Sequence, residues 1–271
     1  MTLVTARIAT QGRQFWRLTR LAFHLLLGIS LCALILPRRS PLARQQHIRK
    51  WSIALLQIFG VRVELFNAER LPLERVAATP DVALQPGVIV ANHLSWLDIF
   101  VINAVQPCRF VAKAEIRGWP LLGYLCSSTR TIFISRGSAR DVRKIFQQLA
   151  ESIRGGDHVA FFPEGTTARQ GTLLPFHANL FEAAIEASVA VQPVALRYLD
   201  RHGALHTEID YTGDTTFSQS MMRILRSHSI QAQLILLPAI DSSIGNRRHL
   251  ASAAQRSIAA ALDHPPDKDG T

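Results

Sequence analysis

A histidine and an aspartate five residues apart offer the clearest acid–base chemistry in this sequence. His93 and Asp98 lie in segment 92–98 (NHLSWLD), directly after an apolar run that ends at Ala91. An imidazole accepts a proton near neutral pH, and a carboxylate bound to one ring nitrogen leaves the other for a substrate hydroxyl. A turn between the two residues would bring Asp98 back to the ring. Spacing alone leaves open an unrelated loop histidine and helix-start carboxylate.

A second polar segment, 162–169 (FPEGTTAR), also follows an apolar run. Gly165 lets a turn bring backbone amides close to an anion, and the Thr166 hydroxyl can donate a hydrogen bond. Glu164 could orient a substrate hydroxyl or pair with an arginine. The same segment is equally consistent with a plain strand-to-loop turn.

Two cations stand at the ends of other apolar runs. Arg136 follows the run in segment 131–137 (TIFISRG), and Lys113 ends segment 109–113 (RFVAK). A guanidinium group binds phosphate through two parallel hydrogen bonds, so Arg136 is a candidate anion ligand. A solvated surface charge remains the alternative for Arg136.

The elements that must position these side chains alternate along the chain. Short β-branched runs predict strands at 61–66, 87–91, 109–113, 131–135, 158–162, 190–198, 205–211 and 231–237. Helical patterns cover 96–105, 119–127, 138–154, 175–188 and 246–262. Alternation with fully apolar strands predicts an α/β fold, with a largely parallel sheet sandwiched by helices. Ligands of such sheets bind beyond the carboxyl ends of the strands, where the polar segments fall.

The positive charge of the chain is concentrated at its N-terminus. The 271 residues contain 30 Lys and Arg against 20 Asp and Glu, a net charge of +10. Residues 1–63 hold ten of these basic residues and no acidic one, so the rest of the chain is neutral. A nucleic-acid-binding protein more often carries basic side chains on its folded body. The distribution therefore argues against nucleic acid and favours anionic membrane lipids as partners.

The basic residues flank an apolar run at 21–36, which two arginines precede and two follow. Sixteen helical residues rise about 24 Å, which is less than the roughly 30 Å hydrocarbon core of a bilayer. A second amphipathic stretch covers 42–59. We therefore predict a membrane-docking helical hairpin over 1–60 that lies in one leaflet. A single transmembrane anchor, a cleaved signal peptide and a buried core helix are the alternatives.

The remaining chain is predicted to form one domain over 61–265, followed by a frayed tail at 266–271. Hydrophobic residues make up 48% of the sequence, which argues against disorder. Its three cysteines, Cys32, Cys108 and Cys126, form no CxxC pair. Their scatter excludes a disulfide scaffold and makes a cysteine-rich zinc site improbable.

Taken together, these segments resemble the glycerolipid acyltransferase family, typified by the 1-acyl-sn-glycerol-3-phosphate acyltransferases. Four motifs occur in the family's order between residues 92 and 194, with a K-x-E…P…G pattern between the first two. The matching residues are Asn92, His93 and Asp98 for NHxxxxD; Lys113, Glu115, Pro120 and Gly123 for the intervening pattern; Phe133, Ile134 and Arg136 for FIxR; 162–166 for FPEGT; and Val191, Pro193 and Val194 for VxPV.

The resemblance implies a reaction and a role for each candidate residue. His93, polarised by Asp98, would remove the proton from the sn-2 hydroxyl of 1-acyl-sn-glycerol-3-phosphate, giving phosphatidic acid. The donor would be acyl-CoA or acyl-acyl-carrier protein, with no metal or other cofactor. The implied acceptor-binding residues are Arg136, Glu164, Gly165, Thr166 and Lys113.

Two further expectations concern the oxyanion and the membrane. Backbone amides near the NHxxxxD turn could stabilise the oxyanion of the transition state. The enzyme would work at the cytoplasmic face of the inner membrane, where a soluble thioester meets a lipid acceptor.

The sequence departs from the family pattern after FPEGT. Many members continue with Arg-Ser, whereas Thr167 and Ala168 stand here, and Arg169 follows. The segment FPEGTT and the later LLPFHANLFEAA resemble lyso-ornithine-lipid acyltransferases, whose acceptor has no phosphate. A lipid-binding protein without activity is a further alternative. A serine hydrolase is disfavoured because the chain has no GxSxG nucleophile elbow.

Overall fold

The apolar runs of the sequence form one eight-stranded sheet in the computed structural model, which describes residues 3–68, 72–73, 87–134 and 139–263. The strands are β1 (Val61–Phe66), β2 (Pro72–Leu73), β3 (Val88–Ala91), β4 (Arg109–Lys113), β5 (Ile132–Ile134), β6 (Val159–Phe161), β7 (Val191–Leu199) and β8 (Ile230–Leu236). Their order across the sheet is β2-β1-β8-β7-β3-β6-β4-β5.

Most neighbouring strands in the sheet are parallel. Among the strands of the described residues, the β1–β2 and β7–β8 pairs are antiparallel and the other five are parallel. Strands β3, β4, β5, β6 and β7 all point the same way, so their carboxyl ends meet at one edge. This edge carries the segments that the sequence analysis singled out after β3, β4 and β6.

Helices cover both faces of the sheet. They are α1 (Leu3–Ser30), α2 (Pro41–Phe59), α3 (Asp98–Val105), α4 (Leu122–Ser128), α5 (Ala139–Arg154), α6 (Glu182–Ala187), α7 (Phe217–Arg226) and α8 (Arg247–Asp263). Alternate residues of β3 belong to different core clusters. Ile89 packs with residues of α2, α3 and α7, whereas Val90 packs with α5, α6 and α8. This confirms the predicted α/β fold with a largely parallel sheet between helices.

The chain between β7 and β8 differs from the prediction in two places. The predicted strand at 205–211 is wrong, because Thr207–Ile209 is a 3-10 turn and Leu205 forms only an isolated bridge to Leu199. The sequence analysis also missed α7, which begins with a capping box between Thr216 and Gln219. The amides of Ile209 and Asp210 donate to the carbonyls of His206 and Thr207, so the backbone of this segment turns instead of extending as a strand.

The predicted helix at 175–188 is shorter than expected. A 3-10 turn at Asn179–Phe181 leads into α6, which covers only Glu182–Ala187. The residues before the turn bond to the FPEGT segment instead of to a helix: the Leu174 amide donates to Glu164, and the His177 amide donates to the Pro163 carbonyl. The tail at 266–271 and most of the loop predicted at 67–86 lie outside the described residues.

The first two helices form an antiparallel hairpin against the sheet domain. Helix α1 continues through a π-helical turn (Leu31–Ile35) and a 3-10 turn (Leu36–Arg38) before α2 begins. The His24 ring stacks on Trp51 of α2, with the ring centroids 4.5 Å apart. Nη1 of Arg17 donates to the carbonyl oxygens of Leu225 and Ser227, which ties α1 to the body.

The other face of α1 is exposed and apolar. One segment in the described part of the chain, Gln11–Arg38, is a helix long and apolar enough to cross a membrane, by length and composition. Its exposed large apolar side chains recur at helical spacing: Phe15, Trp16, Phe23, Leu26, Leu27 and Leu34. We call this set the α1 stripe. Helix α1 is therefore not a buried core helix, because only its opposite face packs on the protein.

Candidate active site

The imidazole of His93 and the carboxylate of Asp98 are in direct contact. The turn that follows β3 returns the chain so that Nδ1 of His93 lies 2.8 Å from Oδ2 of Asp98. The Asp98 side chain is fully buried, whereas 19% of the His93 side chain is exposed. The contact that the spacing predicted is therefore present at the carboxyl edge of the sheet.

Asp98 accepts hydrogen bonds from four donors. Its Oδ2 atom accepts from the amides of Leu94 and Ser95, at 2.7 and 2.9 Å, besides His93. Its Oδ1 atom accepts a 2.6 Å hydrogen bond from the hydroxyl of Tyr198. Asp98 acts as the acceptor in all four contacts, so Nδ1 of His93 is the donor in theirs. In a neutral imidazole this tautomer leaves the lone pair on Nε2.

Tyr198 is a site residue that the sequence analysis missed. It lies on β7, 100 residues beyond Asp98, and is fully buried. Burial, followed by the charge of Asp98, raises its pKa well above the usual value, so it stays protonated and donates. A tyrosine inside an apolar strand needs a partner for its hydroxyl when buried, and this was the available signal. The sequence could not identify which partner it has.

Glu164 holds two segments of backbone in place. Its Oε1 atom accepts from the His93 amide at 2.8 Å, and its Oε2 atom accepts from the Leu174 amide at 3.1 Å. Only 4% of the residue is exposed. Burial raises the pKa of this carboxyl group, and the two amide bonds oppose that effect. Both carboxylate oxygens of Glu164 are thus committed to the protein.

The His93 turn is fixed on two further sides. The His93 ring stacks on Phe162, with the centroids 3.9 Å apart and the planes 7° apart. The Asn92 side chain pairs with β7: its Nδ2 donates to the Leu196 carbonyl, and its Oδ1 accepts from the Leu196 amide, both at 2.8 Å. The asparagine of NHxxxxD therefore joins β3 to β7 instead of facing a ligand.

The structure brings some of the other predicted acceptor residues to the site. Gly165 and Thr166 follow Glu164 directly and are exposed, and Gly165 has a φ of +69°, which favours glycine. Lys113 is exposed at the end of β4, which β6 separates from β3. Among the described residues, it forms no ion pair with Glu164. Arg136 lies outside the described residues.

Three amides of the NHxxxxD turn already have acceptors. Those of Leu94 and Ser95 donate to Asp98, and that of His93 donates to Glu164. These three amides orient the two carboxylates and are not free to bind an oxyanion. The expectation that backbone amides near this turn stabilise the oxyanion stays a prediction for the remaining amides.

Comparison with known proteins agrees with this fold and site. The model of a family described as Acyltransferase matches residues 62–197. The chain is 36% identical over 255 residues to a lyso-ornithine lipid O-acyltransferase of Pseudomonas aeruginosa, covering 92% of this chain and 93% of that protein. It is 35% identical over 203 residues to a 1-acyl-sn-glycerol-3-phosphate acyltransferase of Neisseria meningitidis serogroup B, covering 71% and 79%.

A solved structure is similar over nearly the whole chain. The crystal structure of the 1-acyl-sn-glycerophosphate (LPA) acyltransferase, PlsC, from Thermotoga maritima superposes with a TM-score of 0.65. The match covers 97% of this chain and 99% of that one at 19% sequence identity, so it supports the fold.

A mostly parallel sheet with a histidine–carboxylate pair at its carboxyl edge defines an α/β protein with a site suited to general-base chemistry. The chain belongs to the Acyltransferase family, and it is an enzyme that transfers acyl groups.

Proposed function

We propose that this enzyme transfers a fatty acyl group from a thioester to the hydroxyl group of a lysolipid, with His93 as the general base. The observation that carries the proposal is the 2.8 Å contact between Nδ1 of His93 and Oδ2 of Asp98. It leaves Nε2 with a lone pair on a partly exposed ring, and within the described residues no protein group bonds to Nε2.

The reaction balances with these two side chains. Nε2 of His93 takes the proton of the acceptor hydroxyl while its oxygen attacks the thioester carbonyl carbon. Collapse of the tetrahedral intermediate breaks the carbon–sulfur bond, and the thiol leaves with the proton that His93 returns. Asp98 holds the ring and stabilises the imidazolium in between. The products are an ester and a free thiol, without a covalent enzyme intermediate.

For the acceptor, our first candidate is the sn-2 hydroxyl of 1-acyl-sn-glycerol-3-phosphate, which the four motifs imply. The Neisseria meningitidis relative of that name supports this choice. Gly165 and Thr166 are exposed beside His93 and would receive the head group, together with Lys113 and Arg136. Glu164 would act by positioning the His93 turn, because its oxygens are already occupied.

Lyso-ornithine lipid is the second candidate acceptor, and two observations favour it. The Pseudomonas aeruginosa relative of that name aligns over more than nine-tenths of this chain. In addition, Thr167 stands where many relatives have an arginine, and its hydroxyl donates to the Tyr211 carbonyl. Position 167 therefore supplies no positive charge that could bind a phosphate group.

For localisation, we propose that the protein docks on the cytoplasmic face of the inner membrane, where thioester donors are made. The α1 stripe supplies an apolar face, and the arginines around it suit anionic head groups. Contacts of Arg17 and His24 hold the opposite face of α1 on the protein. This packing favours a helix that lies in one leaflet over a helix that spans the bilayer.

A matrix of donors and acceptors tests the reaction. Purified protein is offered 1-acyl-sn-glycerol-3-phosphate or lyso-ornithine lipid, each with acyl-CoA or acyl-acyl-carrier protein, and the thiol and ester products are measured. We expect thiol release only with an acceptor, and a higher kcat/KM for one of the two lysolipids. Free fatty acid release without an acceptor would instead indicate a hydrolase.

The base is tested by His93→Ala and Asp98→Asn, with His249→Ala as the matched control because His249 is exposed on α8. We expect the first two variants to lose at least about a thousandfold in kcat, in the range for removing a general base. The control should keep wild-type turnover. A folded His93→Ala protein with near wild-type turnover would refute the mechanism.

A further inference from the structure

Three large apolar side chains are exposed on one short segment between β4 and β5. Trp119, Leu121 and Tyr124 are 42%, 57% and 44% exposed, respectively. They lie where the 3-10 turn Ala114–Gly118 leads into α4. Single exposed apolar residues are ordinary, but a cluster of three within six residues marks an interaction surface. We call segment 119–124 the α4 loop.

The backbone of the α4 loop is tightly folded and holds Leu121 outward. Leu121 has a φ of +61° and a ψ of −53°, a conformation that a residue with a β-carbon rarely adopts. Gly123 is buried, and a β-carbon there would overlap the backbone carbonyl of Arg117. The exposure of these side chains is therefore built into the fold, at a cost in backbone strain.

Helix α4, which the α4 loop enters, lies next to helix α1, which carries the α1 stripe. Helix α1 contacts α4, and Cys32 of the following π-helical turn interacts with Ser128 at the end of α4. The two exposed apolar sets thus belong to neighbouring elements from distant parts of the sequence. A surface that accommodates one of them would reach the other.

Three exposed cations flank the α4 loop along the chain. Lys113, Arg117 and Arg130 are exposed on the segments that enter and leave it, and Glu115 is the one acidic residue between positions 109 and 130. Exposed apolar side chains with cations on the flanking segments suit the boundary between acyl chains and anionic head groups. An apolar protein partner would not need this charge.

We propose that the α4 loop inserts Trp119, Leu121 and Tyr124 into the lipid surface as a second membrane contact beside the α1 stripe. The proposal rests on the membrane association proposed above and specifies its geometry. A single helix in the interface leaves the domain free to rotate about the helix axis. Two adjacent contacts remove that freedom and fix how the carboxyl edge of the sheet faces the lipid.

Tryptophan quenching tests the insertion directly. The variant Trp16→Phe removes the exposed indole of α1, which leaves Trp119 as the exposed tryptophan beside the half-buried Trp51 and Trp96. The full chain is mixed with vesicles of phosphatidylcholine and phosphatidylglycerol whose acyl chains carry bromine. We expect bromine to quench a fluorescence component that disappears when Trp119→Phe is added. The same quenching with and without Trp119 would overturn the proposal.

Vesicle partitioning gives an independent measurement. We expect Leu121→Ser combined with Tyr124→Ser to lower the partition coefficient about tenfold, because two exposed apolar side chains leave the lipid. The matched control is Leu205→Ser combined with Ile244→Ser, which removes similarly exposed side chains outside this surface. It should partition like wild type. Equal loss in both pairs would overturn the proposal.

The outcomes separate this inference from the proposed function. A wild-type chain that does not bind these vesicles would contradict membrane docking as a whole. A wild-type chain that binds them, but whose binding is insensitive to the α4 loop, would contradict only the second contact. A change in oligomeric state of the Leu121 and Tyr124 variant, with unchanged vesicle binding, would assign the surface to a second copy of the chain and overturn the proposal.

Discussion

The hydroxyl of Tyr198 donates a 2.6 Å hydrogen bond to Oδ1 of Asp98, and both side chains are fully buried. The opposite oxygen of Asp98 contacts Nδ1 of His93. Tyr198 therefore holds the carboxylate from the side away from the imidazole. A buried carboxylate oxygen without a donor is costly, so this bond both orients and stabilises the charge.

We expect Tyr198→Phe to lower kcat about 10- to 100-fold, the effect of losing one hydrogen bond to a charged group. The KM for the acceptor should be unchanged, because Tyr198 is buried behind Asp98. Without the Tyr198 hydroxyl, the negative charge of Asp98 is less stabilised and attracts the protonated imidazole more strongly. Because the protonated imidazole cannot act as a base, the acidic limb of the kcat profile should move to higher pH.

Steady-state kinetics between about pH 5 and 9 measure this effect. Tyr124→Phe serves as a control, because it removes an exposed hydroxyl and keeps the aromatic ring on α4. An unchanged pH profile with reduced kcat would show that Tyr198 has only a structural role.

Glu164→Gln tests whether this residue positions the turn or binds the acceptor. The carboxylate of Glu164 accepts from the backbone amides of His93 and Leu174. A glutamine has one oxygen and one NH2 group, so one of these two amides would face a donor instead of an acceptor. We therefore expect the free energy of unfolding to fall by about 1–3 kcal/mol, together with kcat. Thermal unfolding and kinetics measure the two effects, with Glu151→Gln at an exposed position as the control. A higher KM for the acceptor with unchanged stability would instead support direct binding.

Gly28 allows the two helices of the hairpin to approach. A β-carbon at Gly28 would lie 2.7 Å from Nε1 of Trp51, whereas one at Gly12 would meet no atom within 4 Å. We expect Gly28→Leu to separate α1 from α2 and to lower the free energy of unfolding by about 1–3 kcal/mol. Thermal unfolding in detergent, with Gly12→Leu as the control, measures this. Equal midpoints for the two variants would argue against close packing of the hairpin.

His158 gives the folded protein a pH dependence. Its side chain is buried at the start of β6, and burial lowers its pKa below the usual 6.5, against the opposing charge of Asp157. The unfolded chain therefore binds a proton at His158 more readily than the folded protein does. The contribution of neutral His158 to the free energy of unfolding is complete above about pH 6.5 and is lost as the pH falls towards the pKa of His158 in the folded protein.

We expect the unfolding temperature of the wild type to fall more between about pH 7.5 and pH 5.5 than that of His158→Gln, which cannot titrate. Differential scanning calorimetry at the two pH values measures the difference. All other histidines are shared by the two proteins, so an identical pH dependence would contradict the role of His158.

Local spacing made the central contact of the site possible, and the order of the four motifs selected it over the alternatives. His93 and Asp98 are five residues apart after a strand, so one turn can bring them together, as the structure shows. The apolar runs likewise predicted the central strands, because residues buried on both faces of a sheet are apolar throughout. The basic N-terminal quarter and its apolar run were also visible directly in the sequence.

The partners of Asp98 and Glu164 were decided only by the tertiary structure. Tyr198 reaches Asp98 across 100 residues, and Glu164 reaches the His93 amide across 71. These contacts exist because β7 and β6 flank β3 in parallel register, which strand patterns alone do not specify. Turn residues such as 205–211 carry a strand-like pattern that local hydrogen bonds override. Chain spacing determines contacts within a turn, and sheet order determines contacts between turns.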